Sequence, residues 1–335
     1  MKPKVYVARK IPEVGIELLK KFCDVNYRDE IPPPSREELL DAVEDVDAIY
    51  CTLSERIDRE VMDRAGKLRV IGTMSVGVDH IDVNYATSRG IYVVYTPGVL
   101  TETVADHAWA LLLATARRVV EADRIIREGG WEIPWAPTMM LGYDVHGKTL
   151  GVVGMGRIGS AVARRAKGFN MRVLYYDIIR RKELEEELGA EYVELDELLR
   201  ESDFVTLHVP LTPKTRGLIG ERELRLMKKT AILVNTSRGP VVEQKALTRA
   251  LREGWIAGAG LDVFEEEPIP ADDPLLKLDN VVLTPHIASA SHDTRNRMAE
   301  YAAEGIIKVL KGERPDNLFN PDVIKVKPLD EVKMI

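Results

Sequence analysis

An apolar run at 149–153 leads into Gly154-Met155-Gly156-Arg157-Ile158-Gly159, and a helical pattern follows. Glycines at that spacing suit a loop wrapped around a pyrophosphate. The first permits the tight turn, the second lets the backbone approach the ligand, and the third lets helix pack on strand. The N-terminus of the helix then faces the negative charge. The next apolar run ends at Asp177, 21 residues after Gly156, where a carboxylate can accept hydrogen bonds from both ribose hydroxyls. Strand, loop, helix and acid in register predict a dinucleotide site. Asp177 favours NAD, because a 2′-phosphate meets its charge. Arg180 and Arg181 follow closely and could grip that phosphate, which keeps NADP open.

A nicotinamide cofactor transfers hydride, and a carbonyl receiving hydride also needs a proton donor. Histidine titrates in the useful range. Of His80, His107, His146, His208, His286 and His292, His286 is the candidate. It follows the apolar run 281–284, at the C-terminal strand edge where ligands bind open α/β sheets. His208 sits inside an apolar run and reads as structural. His107 and His146 have no carboxylate or loop context, whereas His80 and His292 lie near candidate loops. Arg238, in Asn235-Thr236-Ser237-Arg238-Gly239 after the run 231–235, suits a bidentate grip on a carboxylate. A surface salt bridge is the competing reading. Asp262 ends another apolar run and reads as bonded rather than solvated. Of Glu265, Glu266 and Glu267, at least two suit a solvated acidic run.

The elements that carry these groups alternate. Strands are predicted at 5–8, 48–53, 69–74 and 91–95. Between them come helices over 12–22, from Ser35 in the capping-box form Ser35-x-x-Glu38, and over 57–65 with Asp58 near its start. A long helical pattern spans 101–128, apolar all round at Leu111–Leu113, which predicts burial. The segment 129–147 breaks it with glycine and proline and holds Trp131 and Trp135. A second series has strands at 149–153, 172–176, 204–209, 231–235, 259–263 and 281–284, then a helix over 291–311. The tail after Pro315 reads as weakly structured. Alternation of this kind predicts α/β architecture with mostly parallel, helix-covered sheets.

Composition narrows the classes. The 335 residues carry 47 basic and 54 acidic side chains, a net charge of −7, which argues against nucleic acid or anionic membrane as general partners. Two cysteines, Cys23 and Cys51, exclude a disulfide framework or a zinc ribbon, and no metal site is expected. The start lacks a signal-peptide core and no run suits a bilayer span, so cytoplasm is the default. Gln244 is the sole glutamine, while Glu, Lys and Arg abound, a pattern that suits a thermophile.

Taken together, Val76-Gly77-Val78-Asp79, the glycine loop, His208-Val209-Pro210, the stretches 235–239 and 260–268, and Thr284-Pro285-His286 resemble the D-isomer-specific 2-hydroxyacid dehydrogenases, in that family's order along nearly the whole chain. Within the family the chain looks most like the archaeal glyoxylate/hydroxypyruvate reductases. The resemblance implies two Rossmann-like/flavodoxin-like doubly wound parallel-sheet domains with a cleft between them. A discontinuous substrate domain would take 1–100 plus 288–335. An NAD(P)-binding domain would take 101–287, with 129–147 as the arm of a homodimer and Trp135 reaching toward the partner's site.

It also implies roles. Arg238 would bind the carboxylate of a small 2-keto acid, His286 would be the general acid, and Glu267, just before Pro268, would pair with it. Backbone amides at Ser75, Val76, Gly77 and Val78 would bind the substrate carboxylate. Asp262 would contact the nicotinamide carboxamide, Val209 and Pro210 would flank the adenine end, and Thr236 would lie near the nicotinamide ribose. The expected reaction is reduction of glyoxylate or hydroxypyruvate to glycolate or D-glycerate. D-Lactate, 3-phosphoglycerate and phosphite dehydrogenases are the alternatives, with a nucleotide-responsive corepressor further off. Glu267 stands where formate dehydrogenases usually carry an amide. Ala288 departs from the family's glycine, the region near Thr73 lacks an arginine for a substrate phosphate, and no regulatory domain is expected after the last helix.

Overall fold

The computed structural model describes residues 2–335. They form two compact units. One takes in the chain up to Leu100 together with Ala290–Ile335, and the other is Thr101–Ser289. The return crossing thus falls slightly after the 287/288 boundary read from the sequence.

The first unit is built on β1 (Lys4–Val7), β2 (Asp24–Tyr27), β3 (Ala48–Cys51), β4 (Val70–Thr73) and β5 (Tyr92–Val94). All neighbours are parallel, in the order β2-β1-β3-β4-β5, the flavodoxin-like arrangement. β3, β4 and β5 are buried along their length, as a parallel sheet covered on both faces requires. β2, absent from the sequence prediction, is a polar edge strand that alternates exposed and half-buried residues. Ser35 caps the helix Arg36–Ala42 in a complete capping box with Glu38, and Asp58 caps Arg59–Arg64.

The tail is firmly structured, against the expectation. Asn320 accepts from Val93 N–H at 2.8 Å and donates to Ile91 O at 3.0 Å, while Phe319 N–H donates to Val93 O. These bonds extend the β5 edge, and Val323 and Val332 are fully buried. Sequence hydropathy registers none of them.

The second unit holds β6 (Thr149–Val153), β7 (Arg172–Tyr176), β8 (Glu191–Tyr192), β9 (Phe204–Leu207), β10 (Ile232–Asn235), β11 (Gly258–Leu261) and β12 (Val281–Leu283). The order is β12-β11-β10-β9-β6-β7-β8, again all parallel. Side chains alternate across the sheet. Val152, Tyr175 and Val234 join one core cluster, and Val153, Leu174 and Leu233 the other. The first cluster packs under the helix Thr101–Ala116, where Trp109 stacks on Phe169 at 4.7 Å and donates to Val162 O.

The predicted 101–128 helix is interrupted. It ends at Ala116, Arg118 turns left-handed (φ 53), and a second helix runs Val119–Arg127. The Ala116 carbonyl accepts instead from Tyr143 N–H at 2.8 Å, so the segment after the second helix caps the first. Only one face of Thr101–Ala116 is buried, Leu113 being half-buried, and the second helix buries nothing.

Candidate active site

Six strands of the second unit deliver groups to one sheet edge, around the switch in strand order between β6 and β9, the place where open α/β sheets bind ligands. After β6, Gly154 adopts φ 95, and a Cβ on Gly159 would lie 2.0 Å from Gly154 O, so only glycine lets the helix Arg157–Ala166 start this close to the strand. Gly156 is its N-cap, Arg157 is exposed and Ile158 half-buried. Asp177, after β7, turns its carboxylate toward this loop. Oδ2 accepts from Met155 N–H at 2.7 Å and Oδ1 from Ile179 N–H at 3.0 Å. The acid therefore also shapes the loop, and its remaining lone pairs are the ones left for a ligand.

Arg180 is taken by Glu185 in a bidentate pair, 2.8 Å at each nitrogen. The Arg181 backbone N–H donates to Tyr175 Oη. Val209 and Pro210 follow β9, and Thr236 follows β10. The Thr236 hydroxyl is buried and meets no hydrogen-bond partner among the described residues. A glycine cradle at a helix N-terminus and an unmatched hydroxyl on the same edge fit a dinucleotide.

His286, after β12, is left-handed at φ 53, a conformation that costs a non-glycine residue about 1–3 kcal/mol unless its surroundings hold it. Its Nδ1–H donates to Glu267 Oε2 at 2.7 Å, and Glu267 Oε1 accepts from Phe264 N–H at 3.0 Å. Burial pushes the Glu267 carboxyl up. The hydrogen bond and charge of His286, the Phe264 N–H and the nearby Arg238 charge outweigh this, and the net shift is downward. Arg238 follows β10. Asn235 forms its turn, donating from Nδ2 to Arg238 O at 2.9 Å and accepting from Ser237 N–H and Oγ–H. A Cβ on Gly239 would lie 1.8 Å from Phe264 O, so glycine there brings the Arg238 turn against the segment leading to Glu267. Gln244 braces the same segment: Oε1 accepts from Glu265 N–H and Nε2 donates to Asp273 at 2.8 Å.

Asp262 braces the loop after β12. Its side chain is fully buried and it accepts from Thr284 Oγ1 at 2.6 Å, Ile287 N–H at 2.8 Å and Ala288 N–H at 2.8 Å. An unpaired buried charge costs several kcal/mol. These donors offset that cost, and the carboxylate clamps the loop after His286. Burial raises its pKa, but nearby His107 and the Thr284, Ile287 and Ala288 hydrogen bonds leave the net shift downward. His107, read as lacking a carboxylate, lies 3.4 Å from Asp262 Oδ1 and 3.0 Å from Thr284 Oγ1. His208 bonds Thr206 at 2.8 Å, and burial holds it down to about 3, so its ring is neutral. His146 meets Asn170. Among the described residues no cluster could hold a metal, and no helix is long and apolar enough to cross a membrane.

The model of the D-isomer-specific 2-hydroxyacid dehydrogenase NAD-binding domain matches residues 109–288. A glyoxylate reductase of Korarchaeum cryptofilum is 63% identical over 328 residues, 98% of this chain and 99% of that protein. The chain belongs to the D-isomer-specific 2-hydroxyacid dehydrogenase family. It is an oxidoreductase built to use a nicotinamide cofactor. The crystal structure of a Thermus thermophilus protein superposes with a TM-score of 0.89 at 48% identity, over 94% of this chain and 99% of that one. An NADPH-dependent glyoxylate/hydroxypyruvate reductase from Sinorhizobium meliloti, solved with NADP and malonate, gives 0.83 at 33% identity, covering 96% and 98%.

Within this family member, the first unit presents the loop after β4. There Ser75 is buried and its Oγ–H donates to Gly77 O at 2.7 Å, while Val76, Gly77 and Val78 are half-buried. His80 Nε2 lies 3.0 Å from Thr73 Oγ1, and His292 is exposed. Sequence reasoning missed His107 and Gln244 as contributors to the second unit's edge, and treated Asn235 and Thr284 only as parts of motifs. Asn235 carries the one local signal, a polar residue ending an apolar strand. The others meet partners far along the chain.

Proposed function

We propose that this enzyme reduces a small 2-keto acid, glyoxylate or hydroxypyruvate, to the D-2-hydroxy acid with NADH. The hydrogen bond of 2.7 Å from His286 Nδ1 to Glu267, beside Arg238, carries the reading of the chemistry. The glyoxylate reductase at 63% identity supports the substrate. A bound nicotinamide supplies hydride to the keto carbon. The Arg238 guanidinium binds the substrate carboxylate with its planar fork and orients the carbonyl. Charge grows on the carbonyl oxygen, where His286 and Arg238 stabilise it. Glu267, by accepting from Nδ1, fixes the ring and leaves Nε2 to hand over the proton.

Thr236 is assigned to the nicotinamide ribose, Val209 and Pro210 to the adenine end, and the 154–159 loop to the pyrophosphate. NADH is favoured because Asp177 stands at the ribose position and Glu185 occupies Arg180. The Ser75–Val78 amides are proposed as a carboxylate-binding loop in their own unit. A homodimer through 129–147 is supported by the apolar surface there, Trp131 being 56% and Trp135 74% exposed.

The test crosses NADH and NADPH with glyoxylate, hydroxypyruvate, pyruvate and phosphohydroxypyruvate in initial-rate assays at about 70 °C. Fast turnover of the first two with NADH is expected. Turnover confined to another acid, or NADPH as the better donor, would overturn the corresponding half of the proposal.

A further inference from the structure

Four hydrogen bonds hold the left-handed turn at His286. Its N–H donates to Asp262 O at 2.9 Å and Thr284 O at 3.1 Å, and the next two N–H groups donate to the Asp262 carboxylate. That carboxylate is in turn held by Thr284 Oγ1 at 2.6 Å. A hydroxyl has one proton, and here it goes to the carboxylate, the stronger acceptor. Thr284 Oγ1 must then accept from His107, whose Nε2 lies 3.0 Å away on the helix Thr101–Ala116. The hydrogen bonds run one way, from His107 through Thr284 to Asp262, and each donor polarises the next. His107 lies outside the β11–β12 strand ends, and through this chain of contacts it ties the His286 loop to a helix packed across the sheet.

We propose that His107 is a positioning residue for His286, acting through Thr284 and Asp262. Without its N–H, the Thr284 hydroxyl loses a donor and is free to turn, and the carboxylate loosens its grip on Ile287 and Ala288. The catalytic consequence rests on the reading of His286 as the acid. The geometric consequence does not.

The test therefore reads both. In His107→Leu, hydrogen exchange across 284–290 should quicken by about fivefold or more. Turnover should fall about tenfold, short of the roughly hundredfold that a 1 Å misplacement of a reacting group can cost. KM for the keto acid and Kd for NADH should stay within about twofold of wild type, since nothing that binds them is altered. His107→Gln, which returns an N–H donor near the Nε2 position, should restore most of both losses. It also serves if the leucine variant folds poorly. Unchanged exchange at 284–290 in either a folded His107→Leu or a Thr284→Val protein would overturn the positioning. Quickened exchange with undiminished kcat, where His286→Ala is inactive, would overturn its catalytic half. If His286→Ala is itself active, the acid assignment is what has failed, and the clamp stands on the exchange data.

Discussion

Ser75 and His286 both follow the C-terminal end of a parallel strand, yet their loops use polar groups in opposite ways. After β4, Thr73 Oγ1 lies 2.8 Å from Ser75 Oγ and 3.0 Å from His80 Nε2, and Ser75 donates onward to Gly77 O. The two hydroxyls and His80 Nε2 thus bond within the loop itself. After β10, β11 and β12 the second unit brings a guanidinium, two carboxylates and an imidazole to one edge, with the Thr236 hydroxyl unmatched among the described residues. Both sheets are parallel and helix-covered, so the architecture does not set this difference. The loops do, as is usual where one fold hosts many chemistries. On the proposed reading, the first unit's loop presents backbone amides and the second unit's moves charge.

Substitutions should divide along that line. His286→Ala, the largest effect, should lower kcat by about 100-fold or more, the scale of a positioned acid. A near-wild-type rate in steady-state assays would break the comparison. Arg238→Lys removes the planar fork, and kcat/KM should fall about tenfold or more, through both KM and kcat, in line with one charge-assisted bidentate contact. Unchanged kinetics would point to another anchor for the carboxylate. Ser75→Ala takes away two neutral hydrogen bonds, to Thr73 and to Gly77 O, each worth about 1 kcal/mol. The expected result is a KM raised about two- to fivefold with kcat unmoved. A drop in kcat alone would give the first unit a part in the chemistry itself.

The smallest effect is on stability. The folded state lowers the Glu267 pKa, so the folded protein binds fewer protons than the unfolded chain. The resulting stabilisation is present above the ordinary carboxylate pKa and is lost as pH falls through the lowered value. Glu267→Gln should melt below wild type at pH 7, and the gap should close as pH falls below the ordinary carboxylate range and through the lowered value. A gap of constant size across the whole acid range would assign the stabilisation to packing rather than charge.

How far the sequence reached follows from which forces are local. The predicted strands 149–153 and 172–176 coincide with β6 and β7, because buried parallel strands are continuous apolar runs with glycine or acid at their ends. β2 escaped notice as a polar edge. The break at Arg118 carries no glycine or proline. It is made by Tyr143 N–H reaching the Ala116 carbonyl, a bond between residues 27 apart. His286, Arg238 and Asp262 could be singled out because each follows a strand. Glu267 needed the resemblance, since an acidic run shows no preference among its members. His107 could not be paired from sequence: its partners lie at 262 and 284, and a histidine on an apolar helix looks the same with or without them.

Gln244 gives this arrangement a chemical lifetime. Its carboxamide accepts from Glu265 N–H through one atom and donates to Asp273 through the other. A carboxylate in its place could only accept. Hydrolysis to glutamate would keep the first bond and set a second negative charge against Asp273. The strap of the segment leading to Glu267 would then open without any break in the chain. In a protein with one glutamine in 335 residues, hydrolysis of a glutamine side chain can strike only here. Gradual loss of turnover on prolonged heating, with the fold still intact, is the form such ageing would take.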